Sequence, residues 1–171
     1  MAISPDVIDR AMTWTKVDFH PRHEQPQWWR VAVATVLAIG LSLAACAALA
    51  VAGEHLWPAT KGFGHFQFSD YGKLTVVGVL IACAGWPIVT RISSAPRWLF
   101  FRLAILVTLV LWLPDVWIWL KGESAQGVAV LAVMHLAIAL ITYNVLVHVA
   151  PVRAARYRRG TSETVDGAAA A

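Results

Sequence analysis

Charge is scarce in this 171-residue chain, with only 14% of residues Asp, Glu, Lys or Arg. Soluble domains carry about 25%. With 58% of its residues apolar, the chain is neither a disordered polypeptide nor an ordinary water-soluble enzyme. Cysteine is scarcer still. Cys46 and Cys83 are the only two, so a disulfide scaffold is excluded, and no CxxC pair exists to hold zinc or exchange thiols. A Ser-His-Asp set, a Walker loop and an HExxH helix are missing as well. His20, His23 and Glu24 flank Pro21 at a spacing unspecific for a metal and read as solvated polar groups. The net charge is +4, but the Lys and Arg residues stand at the borders of apolar runs. That placement suits a membrane surface and phospholipid heads, not nucleic acid.

What the chain has in quantity is long apolar runs. A helix needs roughly 20 apolar residues to cross a bilayer. Four stretches come close to this or exceed it: residues 31–53, 74–90, 103–120 and 126–149. In lipid the backbone must satisfy its own hydrogen bonds, and these runs lack the alternation of a barrel strand. The expected fold is all-α: a four-transmembrane-helix bundle over 30–152, a leader over 1–29 and a tail over 153–171. Leu43-Ala44-Ala45-Cys46 mimics a lipoprotein cleavage box, but the apolar run continues past it and reads as a span.

With four crossings, both chain ends and the second loop share one side. That side holds Arg10, Lys16, Arg22, Arg30, Arg91, Arg97, Arg102, Arg153, Arg156, Arg158 and Arg159, against Lys61, Lys73 and Lys121 opposite. The bias predicts cytoplasmic N and C termini in a plasma (inner) membrane. Trp28, Trp29, Trp98, Phe100 and Phe101 fall at the inner interface, and Trp57 and Trp119 near the outer one.

Ser4, Pro5 and Asp6 form a helix start, and Val7, Ile8, Ala11, Met12 and Thr15 share one face beyond it. These predict a short amphipathic interfacial helix in the leader, followed by an irregular linker over 19–27. The first outer loop, residues 54–73, sets Phe63, Phe66, Phe68 and Tyr71 among glycines. Exposing these rings to water alone gains nothing, so they cover the bundle, dip into the interface or dock on a partner. With Asn144 they are the candidate partner contacts. In the tail, Arg153, Arg156, Arg158 and Arg159 are the candidate lipid-headgroup contacts, and the rest reads as disordered.

Asp115 is the most informative residue, since a carboxylate in a membrane span faces protein or water. It follows Pro114, which breaks one helical hydrogen bond. Counting helical rise from the outer ends puts Asp115 about 8–9 Å deep and His135 roughly 14 Å deep, within reach of each other on adjacent helices. The pair reads first as a polar clamp fixing helix register, and otherwise as a proton relay or ligand site. On the fourth span His135 and Thr142 form one polar stripe, and Asn144 and His148 another. A bis-histidine haem would need a ligand from a second span, and none of the first three contains histidine. Cys46 and Cys83 read as buried thiols at similar depths. Small residues crowd the first span (Ala34, Ala38, Gly40, Ser42, Ala44) and recur in the second, which permits close helix packing.

On these residues the chain resembles the small four-helix membrane proteins of unknown function common in actinobacteria such as mycobacteria. The Ala-rich first span, the turn over 91–102 with Pro96, Leu113-Pro114-Asp115 and Met134-His135 carry the resemblance, across residues 30–152. It implies the fold and an inner-membrane location and implies no activity. The resulting expectation is a non-enzymatic accessory or stabilising subunit of a larger membrane complex (respiratory, lipid-transport or envelope-synthesis), with no cofactor and no metal. The alternatives are a proton-coupled carrier using Asp115 and His135, and a membrane enzyme acting on lipid or quinone.

Overall fold

The computed structural model describes residue 13, residues 16–18 and residues 23–154. The expected leader helix, His20, Arg156, Arg158 and Arg159 lie outside the described residues. Four helices follow one another: α1 (Trp28–Leu56), α2 (Phe68–Ile92), α3 (Pro96–Leu120) and α4 (Ala125–Val149). Each is long and apolar enough to cross a membrane. The helices outrun the apolar runs at several ends, because a helix once started propagates cheaply through polar turns. Pro96, for example, starts α3 at its first turn, where a missing N–H costs nothing. The expected basic turn over 91–102 shrinks to the three residues 93–95 between α2 and α3.

α4 is the centre of the bundle, packing mainly on α1 and then on α3, while α2 lies against α1. The α1–α4 seam follows directly from composition. Ala34, Ala38, Ser42, Cys46, Ala50 and Gly53, almost all four residues apart, are the buried residues of α1. Such a stripe lets two backbones approach where lipid supplies no hydrophobic drive. The fit is tight, since a Cβ built on Gly53 would stand 3.0 Å from Val130 Cγ2. Other small residues of the apolar runs, Gly40 and Gly78 among them, face outward.

Two apolar clusters fill the bundle, one toward the end expected to face inward, where the chain ends lie, and one toward the end expected to face outward. The inner one gathers Ala34, Ala38, Val79, Cys83, Trp86, Phe100, Leu146 and Ala150. Cys46, Ala50, Phe63, Phe66, Val130 and Met134 make the outer one. The two free thiols therefore belong to different layers. Because α2 begins at Phe68, Cys83 lies about 22 Å into its helix, against about 15 Å for Cys46 from the outer end of α1. The similar depths expected from the apolar borders do not hold.

Both ends are closed. At the outer end two single-turn 3-10 helices, Pro58–Thr60 and Gly64–Phe66, fold Phe63 and Phe66 down onto α4 and α1. At the inner end His23–Glu24 (β1) pairs antiparallel with Arg153–Ala154 (β2), and Val17 bridges Ser93. The segment expected to be an irregular linker is thus partly ordered by pairing. Its side chains also serve α2. His23 Nε2 donates to Thr90 O at 2.7 Å and Gln25 Nε2 donates to the same carbonyl at 3.1 Å, satisfying a helix-end acceptor that lacks an intrahelical partner. Trp86, fully buried, donates from Nε1 to Ala150 O at 2.9 Å and ties α2 to the end of α4.

Candidate functional site

Asp115 and His135 come together. Pro114 removes one backbone donor from α3, and the next residue turns its carboxylate inward, where Asp115 is only 5% exposed. From α4, His135 Nδ1 donates to Asp115 Oδ2 at 2.9 Å. The bond fixes the imidazole's tautomer and leaves Nε2 as its other nitrogen, on a side chain 26% exposed. One turn earlier on α3, Trp112 Nε1 donates to Ala132 O of α4 at 3.1 Å. Nearer the inner end Arg97 Nη2 donates to Val147 O at 3.5 Å. α3 therefore meets α4 through three polar ties, spaced along its length.

That spacing has a physical reason. α3 is the least buried helix, with 11% of its most apolar window enclosed. Beyond its first turns only Thr108 and Asp115 are buried. Lipid is as apolar as leucine, so an outward-facing apolar helix gains little by leaving it for the bundle. Interhelical hydrogen bonds supply what dispersion alone does not. The Asp115–His135 geometry suits a clamp, and it equally supplies an oriented imidazole next to a carboxylate, the parts a proton relay requires.

The other residues singled out in the sequence separate into groups. Phe63 and Phe66 are buried and meet edge-to-face with ring centroids 5.0 Å apart. Phe63 also stands against Gly127, where a Cβ would come within 3.1 Å of its ring. Phe68 is 66% exposed, stands perpendicular to half-buried Tyr71 and lies over Gly72. Asn144 is exposed on α4 and donates to Leu140 O of its own helix at 2.8 Å, and His148 likewise bonds Asn144 O at 2.8 Å. Arg153 is exposed in β2. His23 is half-buried and caps α2 instead of standing free in solvent, while Glu24 is exposed. Among the described residues no group of three His, Cys, Asp or Glu is placed to hold a metal.

Sequence reasoning puts Trp112 on the face of Asp115, three residues away, but does not foresee two bonds, the first being its tie to Ala132 O. The second, the Thr90 cap by His23 and Gln25, carried no signal, because sequence spacing does not encode a contact across more than sixty residues. Fold and site together define an integral, multi-pass membrane protein of the all-helical class. No protein-family model, curated protein or solved structure matches the chain.

Proposed function

We propose that the chain is a non-enzymatic accessory or stabilising subunit of a larger membrane assembly, seated in a bacterial inner membrane with both ends cytoplasmic. The observation that carries this reading is Asn144, an amide exposed on the outward face of a membrane-length helix. Polar side chains at membrane depth usually face protein, because lipid offers them no partner. His148 extends the same face by one turn, and Phe68 adds an exposed ring at the outer end. The inside of the bundle supports the same view. The α1–α4 seam is packed to contact, and two phenylalanines cover its outer end. The resemblance to small four-helix proteins of actinobacteria supplies the inner-membrane location.

A photo-crosslinking residue at Asn144 or Phe68 tests the proposal in intact membranes. One larger partner should be captured at a fixed ratio from either position, and the same partner should co-purify in mild detergent. A chain that crosslinks only to lipid from both positions is no subunit. A second reading, a small proton-coupled carrier, is favoured by the 2.9 Å Asp115–His135 bond. Substrate movement driven by a pH gradient in liposomes holding this chain alone would establish it.

A further inference from the structure

The seam between α3 and α4 opens outward into an apolar cleft of about 130 Å³. Phe101, Ile105, Leu109 and Trp112 form one wall, and Ala139 and Tyr143 the other. From Phe101 to Trp112 the wall runs about 16 Å along α3. Its polar atoms are turned to helix carbonyls: Thr108 Oγ1 donates to Ala104 O at 2.8 Å and Trp112 Nε1 donates to Ala132 O at 3.1 Å. The lining that remains is carbon. A helix is about 10 Å across with its side chains, too wide for such a slot, whereas one hydrocarbon chain fits.

Charge decides which chain and which way it lies. Arg97 precedes Phe101 by one turn on the same face of α3, and its bond to Val147 O at 3.5 Å carries it across the seam one turn beyond Tyr143. It therefore sits under the inner mouth of the cleft. It is exposed, and this single long bond leaves most of its five donors for a ligand. Arg102 is not offered to the cleft, because its guanidinium is folded 3.4 Å over the Trp98 ring toward the start of the helix and its Nη1 is buried. At the opposite end, one turn past Trp112, stands the Asp115 carboxylate. One mouth carries an exposed cation, and the other offers only a buried carboxylate already bonded to His135.

We propose that this cleft holds one anionic phospholipid, with an acyl chain between α3 and α4 and its phosphate on Arg97. Guanidinium groups grip phosphate through paired hydrogen bonds. A zwitterionic head brings an ammonium group toward the arginine, and an anionic head does not. The site does not depend on the chain being a subunit.

The test uses the full chain in mild detergent with phosphatidylglycerol carrying a photoactivatable acyl chain, and phosphatidylcholine with the same chain. One lipid per protein should be captured, with the label confined to residues 101–112 and 136–143. Phosphatidylglycerol should be preferred at least about fivefold, the electrostatic worth of one arginine at a charged bilayer surface. Arg97→Gln should bring its capture down to that of phosphatidylcholine, and Ala139→Phe should suppress both. Equal capture of the two lipids overturns the proposal, as does a preference surviving in the Arg97→Gln variant. Label spread over the outward faces of all four helices overturns it without any variant. Full displacement of the lipid by millimolar glycerol phosphate would show a free-phosphate site and overturn it too.

Discussion

At the scale of single residues, α3 stays on the bundle through a few polar atoms. Asp115 offers His135 a carboxylate oxygen at 2.9 Å, and Trp112 offers Ala132 O an indole N–H at 3.1 Å. Between membrane helices such bonds contribute about 0.6–2 kcal/mol each. Asp115→Asn keeps the shape and an acceptor oxygen while deleting the charge. For a clamp, this variant should assemble normally, lose only a few degrees in thermal unfolding and keep the activity of any host complex. Full assembly with complete loss of that activity would make the pair a relay. Asp115→Leu does not separate the two cases, because it strands His135 in either one. The pair was legible in the sequence because a lone carboxylate in an apolar run must meet a partner, and helical rise put one histidine near its level.

At the scale of elements, the outer end shows how a loop completes a helix pair. Gly127 opens α4, capped by Ser124, whose Oγ accepts from Gly127 N at 3.4 Å. Phe63 lies flat on the bare Cα, with ring atoms 3.1–3.2 Å from where a Cβ would be. Gly127→Val should therefore lift Phe63 out of the outer cluster and expose Cys46 and Ala50 beneath it. The expected cost of such overpacking is about 1–3 kcal/mol, read as a lower unfolding temperature in detergent. Faster reaction of Cys46 with a small thiol reagent would locate the change. Unchanged stability and thiol reactivity would mean that the ring is not a plug. The four helices themselves were plain in the sequence, since apolar runs of bilayer length admit no other backbone. Their ends were less so. Charged borders mark where lipid stops, whereas α2 and α3 stop where capping and proline geometry allow, several residues further out. The fate of the three phenylalanines was open for a similar reason. Composition shows that Phe63, Phe66 and Phe68 avoid water, but which ring turns inward depends on the two 3-10 turns.

At the scale of the whole molecule, the two ends of the bundle differ in how they are built and in what they carry. One end is a short aromatic loop. The other joins Val17, His23 and Glu24 to the α2–α3 turn and to Arg153–Ala154, and it gathers Arg30, Arg91, Arg97 and Arg102 around them. Pairing of β1 with β2 puts both flanks of the four-helix segment on one face, as an even number of crossings requires. Positive charge near the ends of spans is retained on the cytoplasmic side during insertion, which is the ground for the proposed direction of the molecule. Ser69 and Glu24 are exposed at opposite ends, and the two native thiols are buried. A cysteine at either position can therefore be read over a low background. Ser69→Cys should react with a membrane-impermeant maleimide in intact cells. Glu24→Cys should react only once the membrane is permeabilised, and equally fast in detergent for both variants. Labelling of Glu24→Cys from outside intact cells, with Ser69→Cys protected, would invert the molecule. Arg97 at the mouth of the α3–α4 cleft would then face the outer leaflet, and any anionic lipid held there would be drawn from that leaflet instead.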